Sequence, residues 1–432
     1  MESPSTASEE QFILENWTPE PLVPDVDVED NRHVLNPYVI TSKPGKYITI
    51  DGRECLNMGT HNYLGLADDE RLGEACIESA RKYGVGSCGP RAFYGTMNVH
   101  LDLEKLIADF LNVQEAALYS FGFSTIASAI PAYAKPTDVI YFDERCNFAI
   151  QQGIVVSKSR AIKFKHNDVD DLEMKIKDFI SEHEKKNGKK NPIKSFLLVE
   201  AIYAQTGRMC PLKEFIAIAK KYKVRVFIDE SRSFGVLGET GRGITQLLGI
   251  DIQDIDLIMA SLENALCGFG GFCAGSSYVV DHQRLAGTAY CFSASLPPLQ
   301  CQVAIESLKL INENPSILKR ARENFVYAHQ KFSDLTSLKN ISHPLSPVKV
   351  LVFRKENGDD TGEYSKEDEI KLDNICRNIL DSESIAITVA RYLVDSEMTS
   401  PVTSIRVSIS ACLSNADIDR VFFALERFSS TN

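Results

Sequence analysis

Apolar residues along this chain fall in short runs separated by stretches whose apolar positions recur at helical spacing. The runs predict strands at 117–119, 139–142, 161–164, 196–200, 224–228, 257–260 and 271–275. Between them the pattern is helical, as in Asp171-Leu172-Glu173-Met174-Lys175-Ile176-Lys177-Asp178-Phe179-Ile180. Apolar strands alternating with helices predict an α/β domain around a mainly parallel sheet. Ligands of such a sheet sit beyond the carboxyl ends of its strands.

After Pro297-Pro298 a long helical region runs to about Phe332. A strand at 348–353, an acidic loop through Asp359-Asp360, a helix, a strand at 404–410 and a helix over 415–428 follow. This reads as a smaller α+β domain. At the other end, residues 1–45 are acidic and broken by proline, with Trp17-Thr18-Pro19-Glu20-Pro21-Leu22-Val23-Pro24 at their centre. They read as an extended arm whose tryptophan could dock elsewhere. The expected division is thus an arm (1–45), a large domain (46–310) and a C-terminal domain (311–432).

Composition narrows the function. Hydrophobic content of 44% and charged content of 25% over 432 residues are ordinary for a globular chain. Lys+Arg 47 against Asp+Glu 59 leaves a net charge of −12, which argues against a nucleic-acid partner. The basic run Lys185-Lys186-Asn187-Gly188-Lys189-Lys190 reads as a solvated loop. Eleven cysteines without a CxxC pair suggest free thiols in a reducing compartment, and eight histidines without ligand spacing predict no metal site. The polar, acidic opening is unlike a signal peptide. The uncharged run 116–134 could span a bilayer on length alone, but Ser120, Gly122, Ser124, Thr125, Ser128 and Pro131 fit a strand, a turn and a helix start better.

Three places carry candidate chemistry. The stretch Ser261-Leu262-Glu263-Asn264-Ala265-Leu266-Cys267-Gly268-Phe269-Gly270-Gly271 follows a strand and ends in glycines, like an active-site loop, yet Asn264 is neither base nor nucleophile. Asp229 follows the strand 224–228, where a carboxylate can hold a cationic ring nitrogen or merely cap a turn. Ser120-Phe121-Gly122-Phe123-Ser124-Thr125 opens a helix after a strand, as a phosphate pocket or an ordinary turn would. Together they suggest pyridoxal phosphate, which also needs a lysine, but none occurs between Val224 and Leu308.

With these features the chain resembles the α-oxoamine synthases. These are fold-type I pyridoxal-phosphate enzymes that condense an amino acid with an acyl-CoA and release carbon dioxide. The resemblance rests on Asn62-Tyr63-Leu64-Gly65-Leu66, on Tyr83-Gly84-Val85-Gly86-Ser87-Cys88-Gly89-Pro90-Arg91 with Gly95 and His100, and on Asp229-Glu230 with Ser233-Phe234-Gly235-Val236-Leu237-Gly238 and Gly241-Arg242-Gly243. It is completed by Phe292-Ser293-Ala294-Ser295-Leu296-Pro297-Pro298 and Ser410-Ala411 with Asp417-Ile418-Asp419. It implies a three-layer large domain and the smaller terminal one. It also implies that Asp229, Gly122 and Phe123 are remnants of a cofactor site. Three positions depart from the pattern: Asn264 stands where the family has its Schiff-base lysine, Asn147 where a histidine stacks on the ring, and Arg232 where a second histidine lies.

The branch that loses these residues, and which the chain matches also through Asp281-His282-Gln283-Arg284-Leu285 and the Trp17 arm, is the long-chain-base subunit 1 of eukaryotic serine palmitoyltransferase. That resemblance implies no catalytic residue on this chain and a paralogous partner whose lysine holds the cofactor. It also implies small activating and regulatory membrane subunits, and a place on the cytosolic face of the endoplasmic reticulum. Longer relatives carry a membrane helix just before the Trp17 arm, so attachment here is expected through partners or through a longer form. Tyr83, Arg91, Phe93, Tyr94, Ser293 and Ser295 are the expected contributors to the partner's site, with Arg406 at a position the family uses near the substrate carboxylate. The rival readings are an active synthase using another lysine and a degenerate sensor of lipid or acyl-CoA.

Overall fold

A computed structural model of the chain describes residues 7–22, 37–187, 193–355 and 362–430. Val23-Pro24 of the proline-rich arm, Gly188-Lys189-Lys190 of the basic run and the Asp359-Asp360 loop lie outside the described residues. The chain parts into two compact units, Met1–Ile40 and Thr41–Asn432. In the first, part of the expected extended arm is a helix, Ala7–Asn16. The run from Pro4 to Pro19 holds no other proline and no glycine, so nothing interrupts its backbone hydrogen bonds. Phe12, Leu14 and Trp17 are exposed.

The second unit opens with a hairpin of β1 (Tyr47–Ile50) and β2 (Arg53–Asn57), paired Ile50 to Arg53 across Asp51-Gly52. Both turn residues have positive φ, 50° and 75°, the two-residue turn whose twist matches its strands. The main sheet follows, from β3 (Glu115–Tyr119), β4 (Val139–Asp143), β5 (Arg160–Phe164), β6 (Ser195–Glu200), β7 (Arg225–Asp229), β8 (Leu257–Ser261) and β9 (Gly271–Gly275). Its order is β3-β9-β8-β7-β6-β4-β5, and β9 alone runs against its neighbours. Residues in β4, β8 and β9 are buried throughout, as expected of strands covered on both faces. Residues 116–134 form β3, a turn and the helix Gly122–Tyr133, which packs on the helix Phe148–Ser157 and on β8 and β9.

The long helical region resolves into Pro298–Glu313 and Ser316–Ser333, parted at Pro315, which cannot donate to a continuing helix. A four-stranded antiparallel sheet follows, built from β10 (Leu338–Asn340), β11 (Val348–Phe353), β13 (Thr388–Val389) and β14 (Ile405–Ser408) in the order β10-β11-β14-β13. The strand β12 (Ile385–Ala386) instead joins β2 in parallel. All eleven cysteines are free. Among the described residues no helix is long and apolar enough to cross a membrane, and no group of acidic, histidine or cysteine side chains could hold a metal ion.

The loop between β8 and β9 is closed by Leu262 N donating to the carbonyl of Gly270 (3.0 Å) and Gly268 N to that of Leu262 (3.2 Å). Gly270 sits at φ +89°, and a Cβ there would lie 2.5 Å from the Tyr119 carbonyl oxygen. Gly73, inside the helix Glu70–Tyr83, has open space around it. Chemical denaturation should therefore separate the two: Gly270→Ala should cost about 1–3 kcal/mol, whereas Gly73→Ala should add about 0.4–1 kcal/mol.

Candidate functional site

At the carboxyl edge of the main sheet, β6 and β7 end in register on two carboxylates, Glu200 and Asp229. Both are buried. Asn147, which caps the helix Phe148–Ser157 by accepting from Ile150 N (3.1 Å), bonds to both acids. Its backbone N–H donates to Glu200 Oε1 and its amide Nδ2 to Asp229 Oδ2, each at 2.7 Å. The remaining oxygens are taken as well: Asp229 Oδ1 by Ser231 N (2.8 Å) and Glu200 Oε2 by Ala204 N (2.9 Å). Burial raises the proton affinity of both carboxyls, and the charge of Asp229 raises that of Glu200 further.

The loop after β8 is sewn to the same place. Asn264 Nδ2 donates to the Ser231 carbonyl (2.6 Å), and Ser261 N donates to Ser231 Oγ (2.9 Å). Asn264 thus holds the backbone beside Arg232, and its amide offers no nucleophilic nitrogen. Gly122 is buried at the start of its helix, where a Cβ would meet Ser261 Oγ at 2.8 Å, and Phe123 stands half exposed with its ring 6.2 Å from that of Phe148. The structure therefore gathers Asn147, Asp229, Arg232, Asn264, Gly122 and Phe123 at the carboxyl edge of the main sheet.

A cofactor held by a Schiff base on this loop does not fit these residues, since no lysine stands there. Each oxygen of Asp229 accepts one bond from within the chain. His61 and Arg406 lie near the same place, Arg232 and Arg406 both acting on His61. His61 precedes the Asn62-Tyr63 motif, and its Nδ1 lies 3.1 Å from the Tyr63 hydroxyl. Burial first, and Arg232 and Arg406 after it, depress its pKa to about 3, so its ring is neutral. Arg406, in β14, donates through Nη2 to the Tyr392 hydroxyl (2.8 Å) and lies over that ring. Glu200 was legible as the last residue of a predicted strand beside the one that ends at Asp229. His61 carried no such signal.

The residues expected to reach across an interface divide into two groups. Phe93 and Tyr94 are exposed, at 70% and 102%, on a kinked loop where Tyr94 takes φ +63°. Tyr83 is half-buried and donates to Asn98 Oδ1 (2.7 Å), and Ser293 is half-buried. Arg91 and Ser295, by contrast, point inward. The Arg91 guanidinium pairs with both oxygens of Glu104 (2.6 and 2.9 Å), the two side chains being 5% and 6% exposed. Ser295 bonds to the carbonyls of Gly89 and Gly95 and holds that loop shut. Neither can turn toward a partner without stranding a buried polar group.

Residues 53–425 match the family described as aminotransferase class I and II. Across nearly the whole length the chain is similar to the long chain base biosynthesis protein 1b of Oryza sativa subsp. japonica, with 40% identity over 99% of this chain and 86% of the relative. It is similar also to serine palmitoyltransferase 1 of Dictyostelium discoideum, with 36% identity over 98% of this chain and 88% of that one. The chain belongs to this family. Its members share the fold of pyridoxal-phosphate enzymes: a serine palmitoyltransferase from S. paucimobilis, solved with a bound PLP-myriocin aldimine, superposes with a TM-score of 0.79 at 22% identity, over 94% of this chain and 96% of that one.

Two measurements test the geometry. Between the ordinary carboxyl range and neutrality the folded chain binds more protons at Glu200 and Asp229 than the unfolded chain, so stability should fall as pH rises through that window. Glu200→Gln should flatten that slope in denaturation curves recorded at a series of pH values. Arg91→Ala, which leaves the Glu104 carboxylate buried and unpaired, should cost about 3–5 kcal/mol, whereas Tyr94→Ala should change stability little.

Proposed function

We propose that this chain is the noncatalytic, structurally required subunit of a serine palmitoyltransferase, the enzyme that condenses L-serine with palmitoyl-CoA to 3-ketosphinganine in the first step of sphingolipid synthesis. The observation that carries the reading is Asn264 in place of the lysine, beside an Asp229 that accepts from Asn147. On this reading a paralogous subunit bears the lysine and the pyridoxal phosphate, and this chain supplies one wall of that site.

An exposed aromatic surface supports the pairing. Ser295 ties its segment to Gly89 and Gly95, and Ser120 Oγ bonds to the Ala294 carbonyl, so the loops carrying Phe93, Tyr94, Phe121 and Phe292 are neighbours. Phe292 is 82% exposed, and the Phe121 ring meets Phe269 edge-on at 5.1 Å. An aromatic patch of this kind marks a protein interface. Tyr83, Phe93, Tyr94 and Ser293 are the residues we assign to the shared wall. Arg91 and Ser295 hold the loop that presents it. We place the complex on the cytosolic face of the endoplasmic reticulum membrane, with small activating and regulatory membrane subunits attached.

Alone, the purified chain should give no borohydride-reducible internal aldimine with pyridoxal phosphate and no acyl transfer. Co-expression with the lysine-bearing paralogue should produce activity, and Asn264→Lys alone should leave the isolated chain inactive because Asn147 and Arg232 still stand where the family has its two histidines. A reducible internal aldimine on the unmodified chain would restore the reading of an active synthase. No gain on pairing would favour the lipid or acyl-CoA sensor.

A further inference from the structure

We infer that a groove along the helix Ser316–Ser333 is a binding site for a small phosphate monoester. The groove encloses about 710 Å³, a volume typical of small-molecule pockets. Lys319, Arg322, Val326 and Gln330 follow one another at intervals of three and four and so share one face of the helix. At 1.5 Å per residue that face runs for about 16 Å. The other walls come from Leu345, in the loop between β10 and β11, and from Asn415, which opens the helix Asn415–Ser429. The groove shares no residue with the group at the carboxyl edge of the main sheet.

Its cations are short of counter-charge. Arg322 is half-buried and forms no ion pair among the described residues; its Nη1 donates to a neutral acceptor, the Gly238 carbonyl. Burial disfavours its charge, and the nearby Glu239 offsets that only in part. Lys319 lies 3.9 Å from Glu323, too far for a hydrogen bond. The acids beyond the groove are already engaged: Asp419 by the Tyr327 hydroxyl (2.7 Å) and Lys331 (3.1 Å), and Asp417 by Lys46 (2.8 Å). Glu323 is thus the one carboxylate lining the groove, against two cations.

The free donors define what fits. Arg322 keeps Nε and Nη2, Lys319 keeps its ammonium, and the side-chain amides of Gln330 and Asn415 make no hydrogen bond among the described residues. Those donors exceed what the two oxygens of a carboxylate take up, and they suit the three terminal oxygens of a phosphate. Val326, Leu345 and the Tyr327 ring add an apolar wall. An inorganic ion would leave that wall wet, whereas an apolar body on the fourth phosphate oxygen would cover it.

The test is a titration of the full chain with phenyl phosphate and, separately, with inorganic phosphate, at ionic strength held constant with chloride, following the rise in Tm with ligand concentration. A second arm sediments the chain with phosphatidylcholine vesicles that contain phosphatidic acid, and so distinguishes a lipid-borne monoester from a soluble one. Saturable binding in at least one arm is expected, with phenyl phosphate tighter than inorganic phosphate. Arg322→Gln should weaken it about tenfold or more, the worth of one charge-assisted hydrogen bond, and Lys319→Gln about two- to fivefold. Gln330→Trp, at an exposed position, fills the groove and should abolish binding, which keeps the test decisive where Arg322→Gln fails to fold. Arg225→Gln, on an exposed pair with Asp256, should leave binding unchanged. No saturable binding in either arm, inorganic phosphate binding as tightly as the ester, or unchanged affinity in the Arg322 and Gln330 variants would overturn the inference.

Discussion

The hydrogen bond from Asn147 to Asp229 sets the character of the carboxyl edge of the main sheet. Parallel pairing of β6 and β7 forces two buried carboxylates into adjacent positions, Glu200 beside Asp229, where mutual repulsion and desolvation both favour a retained proton. A neutral side chain that donates to one acid through its amide and to the other through its backbone relieves that conflict without adding charge. Ser231 N and Ala204 N take the other oxygen of each acid. Asn264, bonded to the Ser231 carbonyl, ties the loop after β8 to the same place. Every oxygen of the two acids thus has an internal donor, whereas Arg232 Nη1 and Arg406 Nε are buried without a partner.

The aromatic surface depends on a different buried interaction. Arg91 and Glu104 form a two-pronged ion pair beneath the loop, and the Leu118 N–H also donates to Glu104, tying the loop to β3. With Ser295 clamping Gly89 and Gly95, the backbone at Tyr94 is held in a left-handed conformation that an aromatic residue seldom adopts. Strain kept in place by a rigid frame turns Phe93 and Tyr94 outward.

Six strands of the main sheet were legible because strands buried on both faces read as apolar runs, while the edge strand β5, mostly exposed, was legible from Ala161, Ile162 and Phe164; the Asn264 loop was legible as a site by its place after one of the buried strands. The β1–β2 hairpin escaped notice although Asp51-Gly52 is a strong turn signal, since its strands are short and half exposed. The helix Ala7–Asn16 was hidden by the prolines that flank it. The inward course of Arg91 could not be read from its motif, because the motif places the residue on a loop while burial depends on Glu104, which lies in the following helix. His61, Arg232 and Arg406 meet only in three dimensions, brought together from segments far apart in the sequence.

The parallel pairing of β12 with β2 carries a consequence for biosynthesis. The hairpin is made early, yet its outer edge is completed only by Ile385–Ala386, and Leu380 from the preceding helix finishes the small apolar cluster of Ile48, Ile50 and Cys55. During translation that edge of β2 waits, unpaired, until most of the chain has left the ribosome. Closing so long a loop is slow, and an open strand edge is a template for wrong partners. The nascent subunit is thus most vulnerable to aggregation in the interval before its last segment arrives, which is when a chaperone or a partner chain has most to protect.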